Sequence, residues 1–248
     1  PAGLVAAFAY WTLVTDNPAD HPKMTPEELD FIRSERPPAE ADIEKGAWKL
    51  VLKDRNILLV AMSYFCMNYV FYLFFSWFFY YLVNVREFSA SDAGIFTAAQ
   101  WILGAVGATV GGFACDMLVR KIGIRRATRL QTMTALMLSG AFLYIGATSG
   151  NVMLTVVALC FSFGFTQLTE APMWVATMGV AGRHSQIATG VLNTGGNIPG
   201  AIGGLMVPFI AGWLGWDAAI ISGSIFAFAG ALLWLLIRAD EPMAEEFS

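Results

Sequence analysis

Apolar and polar positions divide this chain into a few long blocks. Nearly uninterrupted apolar runs cover about residues 57–83, 91–115, 127–147, 152–180, 185–213 and 216–238. Each is long enough to cross the hydrocarbon of a bilayer as a helix, which takes roughly 20 residues. No period-two alternation competes with helix over these lengths. Short corners separate several runs: Ser149-Gly150-Asn151, Gly182-Arg183-His184-Ser185-Gln186 and Gly215-Trp216. The pattern predicts six spanning helices, the second starting from Ser91 as its N-cap. A shorter apolar block, residues 1–14, precedes them. It opens on Pro1 rather than Met, with no charged leader and no cleavage signal. It reads as the end of another membrane helix that starts upstream.

Residues 15–56 break the pattern. They are polar and contain Pro18, Pro22, Pro26, Pro37 and Pro38, as a loop should. Thr25-Pro26-Glu27-Glu28 has the form of a helix start, with Thr as cap, Pro in the first turn and Glu three residues after the cap. It predicts a short surface helix through Arg36, with Leu29 and Ile32 on one face. Ala47–Lys53 suits a basic amphipathic segment lying at the membrane surface. Residues 239–248 read as a polar tail.

Composition sharpens the class. The chain is 56% hydrophobic and only 14% charged, whereas soluble domains carry about 25% charged residues. The expected class is therefore an all-α polytopic membrane protein whose first partner is the lipid bilayer. Nothing suggests a nucleic-acid partner. Cys66, Cys115 and Cys160 sit in separate apolar runs with no C-x-x-C spacing, so neither a disulfide nor a metal site is expected. Lys and Arg set the orientation. Seven precede the first complete span, and Arg120, Lys121, Arg125, Arg126 and Arg129 follow the second; Arg183 and Arg238 fall on the same side, opposite Arg86. The positive-inside rule places that side, both ends of the sequence and the proline-rich loop in the cytoplasm.

Inside the apolar runs, small and polar residues mark candidate contacts. Gly104, Gly107 and Gly111 share one helix face, as do Gly196, Gly200 and Gly204; such spacing lets helix backbones approach closely. Pro172, Pro199 and Pro208 each remove a backbone donor and can kink their helices. Glu170 is the one acid deep inside an apolar run. A charged side chain at the bilayer centre costs about 2.5–3.5 kcal/mol even on insertion scales, so Glu170 is expected to face a wet cavity or a partner. It could carry a coupled proton, bind a substrate hydroxyl, or pair with another helix. Tyr64, Asn68 and Tyr72 recur every four residues and share a face. Asn193 and Asn197 lie one turn apart. Trp174 is either a stacking wall or a core aromatic, and Gln100 is a further cavity candidate. Arg183, His184 and His21 read as solvated loop residues.

Gly112-Phe113-Ala114-Cys115-Asp116-Met117-Leu118-Val119-Arg120-Lys121 resembles the loop motif G-x-x-x-D-x-x-G-R-[RK] of the major facilitator superfamily, with Val119 in place of the second glycine. Asp116 is placed at a helix end, with Arg120 a turn further on, as a pair able to clamp helices in one state and release them in another. Three stretches narrow the resemblance. Residues 16–22 with Glu28–Ile32 are similar to the central loop of the anion:cation symporter family, which includes bacterial hexonate and hexuronate carriers, sialin and vesicular glutamate carriers. Tyr64–Tyr69 through Trp77 and Leu82 is similar to that family's seventh helix, and Leu192-Asn193-Thr194-Gly195-Gly196-Asn197 to its eleventh. The chain departs from the pattern at Phe79, where proline is usual, and at Glu170-Ala171-Pro172-Met173, where hydroxyl residues often precede the tryptophan.

The resemblance implies the following organisation: residues 1–14 end helix 6, residues 15–56 form the cytoplasmic central loop, residues 57–238 form the C-terminal six-helix lobe, and residues 239–248 are its tail. It also implies secondary transport of a small organic anion, most simply a sugar acid, by alternating access in a plasma membrane such as the bacterial inner membrane. The implied partner is an N-terminal six-helix lobe of the same protein, carrying the arginine for the substrate carboxylate. No cofactor is implied beyond a coupled proton or another cation. Tyr64, Asn68, Trp174 and Asn193 are then expected to bind substrate, and Glu170 to serve as the proton-coupling acid. Tyr72, Gln100 and Asn197 are expected to line the cavity, and Gly112, Asp116, Arg120 and Lys121 to form the conformational motif. Two other readings stay open: a non-transporting half-lobe that binds a partner, and a membrane-embedded enzyme using Glu170, against which the lack of H-E-x-x-H or an acid pair argues.

Overall fold

A computed structural model describes residues 2–15, 17–35 and 46–243. Asp16 of the loop resemblance, Arg36 at the expected end of the surface helix, and residues 244–248 of the tail lie outside it. The described residues form two units, divided between Lys45 and Gly46.

In the first unit, helix α1 (Ala2–Leu13) is followed by a 3-10 turn (Pro18–Asp20) and helix α2 (Pro26–Glu35). The start of α2 is a reciprocal cap. The Thr25 hydroxyl accepts from the Glu28 N–H at 3.2 Å, while the Glu28 carboxylate accepts from the Thr25 N–H at 3.2 Å and from its hydroxyl at 3.0 Å. The backbone N–H and then the hydroxyl of Thr25 hold the Glu28 carboxyl below the usual carboxylate range. Because the folded value is depressed, the cap contributes at neutral pH and is lost as pH falls through that lowered value. Protection of the first-turn amides of α2, relative to their intrinsic exchange rates, is therefore expected to fall in acid and, in Glu28→Gln, to lose that pH dependence.

The second unit is entirely helical apart from its turns: α3 (Ala47–Val51), α4 (Arg55–Asn84), α5 (Ala90–Ile122), α6 (Ile124–Thr148), α7 (Val152–Gln167), α8 (Glu170–Ala181), α9 (Ser185–Leu214) and α10 (Trp216–Leu233). Among the described residues, five stretches are long and apolar enough to cross a membrane. The longest, Val152–Leu214 with 63 residues, turns at Gly182–His184 and so supplies two of the six spans.

Besides α10 ending at Leu233 rather than near Arg238, the helices differ from the expected ones in four ways. First, the cap of α5 is Ser89, not Ser91. Ser89 has an acid three residues on, and the two side chains cap each other: the Ser89 hydroxyl donates to the Asp92 carboxylate at 2.7 Å and accepts from its N–H at 3.1 Å. Second, α5 runs on to Ile122 and ends at Gly123, whose φ of +80° suits glycine. Asp116, Arg120 and Lys121 are thus all on the helix, with no loop between them. Third, the fourth span is broken into α7 and α8 at Leu168-Thr169. Fourth, the residues after α10 do not form a free tail as far as Met243. Ala239 and Met243 are buried. Arg129 donates to the Ile237 carbonyl at 2.7 Å, the Arg238 N–H donates to the Asn56 side chain at 3.0 Å, and the Met243 N–H donates to the Val180 carbonyl at 2.8 Å. A salt bridge of 3.5 Å joins Arg125 and Asp240.

Packing follows the small residues. Gly104, Gly107 and Gly111 are buried where α5 crosses α7. A methyl group added at Gly107 would collide with the Gly164 carbonyl, and one at Gly111 would lie 2.6 Å from the Leu168 carbonyl oxygen. The backbones themselves touch, which is what small-residue rows permit in lipid. On α9 the row is shorter than expected. Gly196 abuts the Tyr64 ring and Gly200 the Tyr72 ring, but an added methyl at Gly204 meets nothing within 4 Å. Pro199 and Pro208 lie within an unbroken α9.

Candidate functional site

The site begins with the break in the fourth span. Proline has no N–H to offer the carbonyl four residues back, so Pro172 leaves the Leu168 carbonyl without its helical donor. The ladder of helical hydrogen bonds is interrupted there, although Leu168 and Thr169 keep right-handed helical backbone angles, and α8 begins with Glu170. The acid thus stands at a helix N-terminus, where free N–H groups and the helix dipole favour negative charge. The sequence placed it within a continuous span. Thr169 does not cap α8 with its side chain; its hydroxyl donates back to the Thr166 carbonyl at 2.7 Å.

Two side chains hold the carboxylate. The Tyr64 hydroxyl on α4 donates to Glu170 Oε1 at 2.9 Å, and Trp174 Nε1, one turn along α8, donates to the same oxygen at 3.3 Å. The Tyr64 and Trp174 rings meet edge to face, with centroids 6.3 Å apart. Tyr64 is buried, while Glu170 and Trp174 are half-buried. Tyr64 and Trp174 are therefore tied to the acid rather than standing free.

A second network lies along α4 and α9. The Tyr72 hydroxyl donates to Asn197 Oδ1 at 2.7 Å, and Asn197 Nδ2 donates to the Asn193 carbonyl at 2.8 Å and to its Oδ1 at 3.4 Å. Asn193 and Asn197 are exposed. Asn68 is half-buried between the two networks and donates to the Tyr64 carbonyl at 3.0 Å. Its Nδ2 lies 3.0 Å from where a methyl on Gly196 would sit. Tyr64, Asn68, Tyr72, Glu170, Trp174, Asn193 and Asn197 thus form two neighbouring hydrogen-bonded groups, a polar strip over α4, α8 and α9. Its hydrogen bonds described above come from tyrosine, tryptophan and asparagine side chains.

Gln100 does not join the strip through any hydrogen bond. It is fully buried on the glycine face of α5, and neither of its amide atoms has a hydrogen-bond partner among the described residues. Asp116, Arg120 and Lys121 are exposed on α5, and among the described residues no ion pair joins them. A methyl added at Gly112 meets nothing within 4 Å. Among the described residues no three His, Cys, Asp or Glu side chains cluster to hold a metal, and the three cysteines are buried and free. A small apolar void of about 10 Å³ between α4, α7, α9 and α10 is lined by Leu73, Phe74, Trp77, Val207 and Trp216 among others, apart from the strip.

Sequence reasoning missed two polar groups behind the strip. Gln131 on α6 donates through Nε2 to the Gly111 carbonyl at 2.7 Å and to the Leu168 carbonyl at 3.1 Å. Ser139 on α6 shares hydrogen bonds with Ser162 at 3.0 Å and Thr166 at 2.8 Å on α7, all buried. The signal for Gln131 was available: an amide in an apolar run is a donor in search of an acceptor, and Pro172 creates one.

The comparisons agree with this architecture. Residues 1–204 match the family model of the Major Facilitator Superfamily, and the chain belongs to that superfamily. It is 28% identical to the hexuronate transporter of Bacillus subtilis (strain 168) over 95% of the chain and 56% of that relative. It is 27% identical to the probable sulfoacetate transporter SauU of Cupriavidus necator, over 94% of the chain and 56% of the relative. For the probable galactarate/D-glucarate transporter GudP of Escherichia coli the identity is 25%, over 96% and 55%. The chain spans about half the length of these curated relatives. Its fold is similar to that of a crystallised fucose:proton symporter, FucP of Escherichia coli, with a TM-score of 0.68, 13% identity, and coverage of 95% of this chain and 64% of the other. These are transporters rather than enzymes, and the fold is that of a six-helix lobe.

Proposed function

We propose that this chain is the C-terminal lobe of a proton-coupled symporter for a small organic anion, a sugar acid such as a hexuronate or hexonate being the best fit. The observation that carries the reading is Glu170, held by Tyr64 and Trp174 beside a strip of exposed amides. The amides of Asn193 and Asn197 and the Tyr72 hydroxyl suit the hydroxyl groups of a sugar. The strip offers no cation to the substrate carboxylate, so that charge is met by the opposing lobe, as the family resemblance implies. An ionised Glu170 repels a second carboxylate, and in a site of low dielectric the repulsion is strong. Protonating Glu170 removes it. Binding of a proton and binding of the anion therefore favour each other, which is the thermodynamic core of symport.

The substrates named for the relatives support the choice of a sugar acid. Rocking of two lobes about a midplane site then alternates access, with the cytoplasmic loop and both ends of this sequence on the basic side of a bacterial inner membrane. In vesicles containing the full-length protein, an acid-outside gradient is expected to drive accumulation of labelled glucuronate or gluconate, and a protonophore to abolish it. Accumulation that ignores the gradient removes the proton from the mechanism. Binding without any uptake favours a non-transporting module.

A further inference from the structure

We infer that Gln131 is a positioning residue for Glu170: its amide replaces the backbone donor that Pro172 withholds and so fixes the place at which α8 begins. The inference rests on the role proposed for Glu170, and it concerns a residue on α6, a helix that packs against α8 but contributes no residue to the polar strip.

The geometry is specific. Of the two ends of the amide, Nε2 lies 2.7 Å from the Gly111 carbonyl and 3.1 Å from the Leu168 carbonyl. Both neighbours accept only, so the amino end must face them. The Leu168 carbonyl is the one orphaned by Pro172, four residues on. A bare carbonyl buried in lipid is costly, and α7 cannot supply the bond itself. The Gly111 carbonyl belongs to α5 at the point where a methyl would lie 2.6 Å from the Leu168 oxygen. One side chain, itself buried, therefore pins three helices where two backbones touch. Glu170 is two residues beyond the pinned carbonyl, and its carboxylate must reach Tyr64 on α4. The loop motif Gly112–Lys121 starts one residue after Gly111. Gln131 thus links the helix that carries the motif to the helix that carries the acid, and a shift of α5 moves the start of α8.

A mutational cycle with Pro172 tests this. Pro172→Ala restores an N–H able to serve the Leu168 carbonyl, so Gln131 should matter only while residue 172 is proline. In full-length protein, Gln131→Leu is expected to cut proton-driven uptake about tenfold and lower the melting temperature by roughly 3 °C. The pH at half-maximal uptake should also move by about half a unit or more, as it must if the surroundings of the acid change. With Pro172→Ala already present, adding Gln131→Leu should change uptake less than twofold and leave the melting temperature within about 1 °C, the signature of two residues acting through one group.

If Gln131→Leu alone does not reach the membrane while the double variant does, the same dependence is shown. Equal damage in both backgrounds, failure of both variants to accumulate, or wild-type uptake by Gln131→Leu overturns the inference. So does a drop in uptake with an unchanged pH profile, which marks a merely structural amide. Normal gradient-driven uptake by Glu170→Gln defeats the proposed function instead, and the melting-temperature cycle still reports whether Gln131 serves the Leu168 carbonyl.

Discussion

Glu170→Gln is expected to reduce proton-driven uptake by the full-length protein at least tenfold, at normal expression, while leaving downhill exchange of substrate largely intact. The glutamine keeps the size of the side chain and an oxygen that can accept from the Tyr64 hydroxyl and Trp174 Nε1, bonds of 2.9 and 3.3 Å in the wild type. What it loses is the ability to take up and release a proton. Gradient-driven accumulation requires that ability; exchange of one substrate molecule for another does not. The two assays on the same vesicles therefore separate coupling from binding. Tyr64→Phe removes one of the two donors and should fall between wild type and Glu170→Gln. If Glu170→Gln accumulates substrate as well as wild type, Glu170 is not the coupling acid.

The second large effect is on folding. Gly107→Val places a branched side chain where α5 and α7 already touch, against the Gly164 carbonyl. No flexible neighbour can yield there, because the atom in the way is backbone. Overpacking typically costs 1–3 kcal/mol in cores that can relax, and this contact cannot relax without separating the two helices. The folded yield in detergent is expected to fall severalfold, with a lower melting temperature. Gly94→Ala is the control: a methyl there meets nothing within 4 Å, and the variant should behave as wild type. Equal yields for the two variants would show that α5 and α7 do not cross at Gly107.

Much of the fold was legible because lipid imposes long apolar helices. Small-residue spacing correctly singled out Gly104, Gly107 and Gly111. Their partner could not be read, since one helix's pattern does not say which neighbour it faces. The polar strip was legible in part. Periodicity put Tyr64, Asn68 and Tyr72 on one face of α4, and the cost of a buried charge picked out Glu170. The break at Leu168-Thr169 was not expected, although Pro172 was noted. A proline within an apolar run is either carried inside a continuous helix, as at Pro199 and Pro208 of α9, or marks an interruption. The outcome depends on whether something supplies the lost bond, which for Pro172 is Gln131, 41 positions earlier in the sequence. The apolar pattern alone points to Ser91 as the cap of α5, whereas Asp92, three residues after Ser89, marks Ser89 as the cap found. Polarity alone suggests a cavity place for Gln100, but it does not give direction: the side chain is buried on the glycine face of α5.

The segment after α10 has a mechanical consequence. Bonds from Asn56, Arg125, Arg129 and Val180 lace residues 237–243 to the ends of α4, α6 and α8. That end of the bundle is cross-braced, so its helices cannot splay independently there. Any bending within the lobe must then be taken up further along the fourth span, at the joint where the backbone has given up a bond of its own and borrowed one from a neighbour.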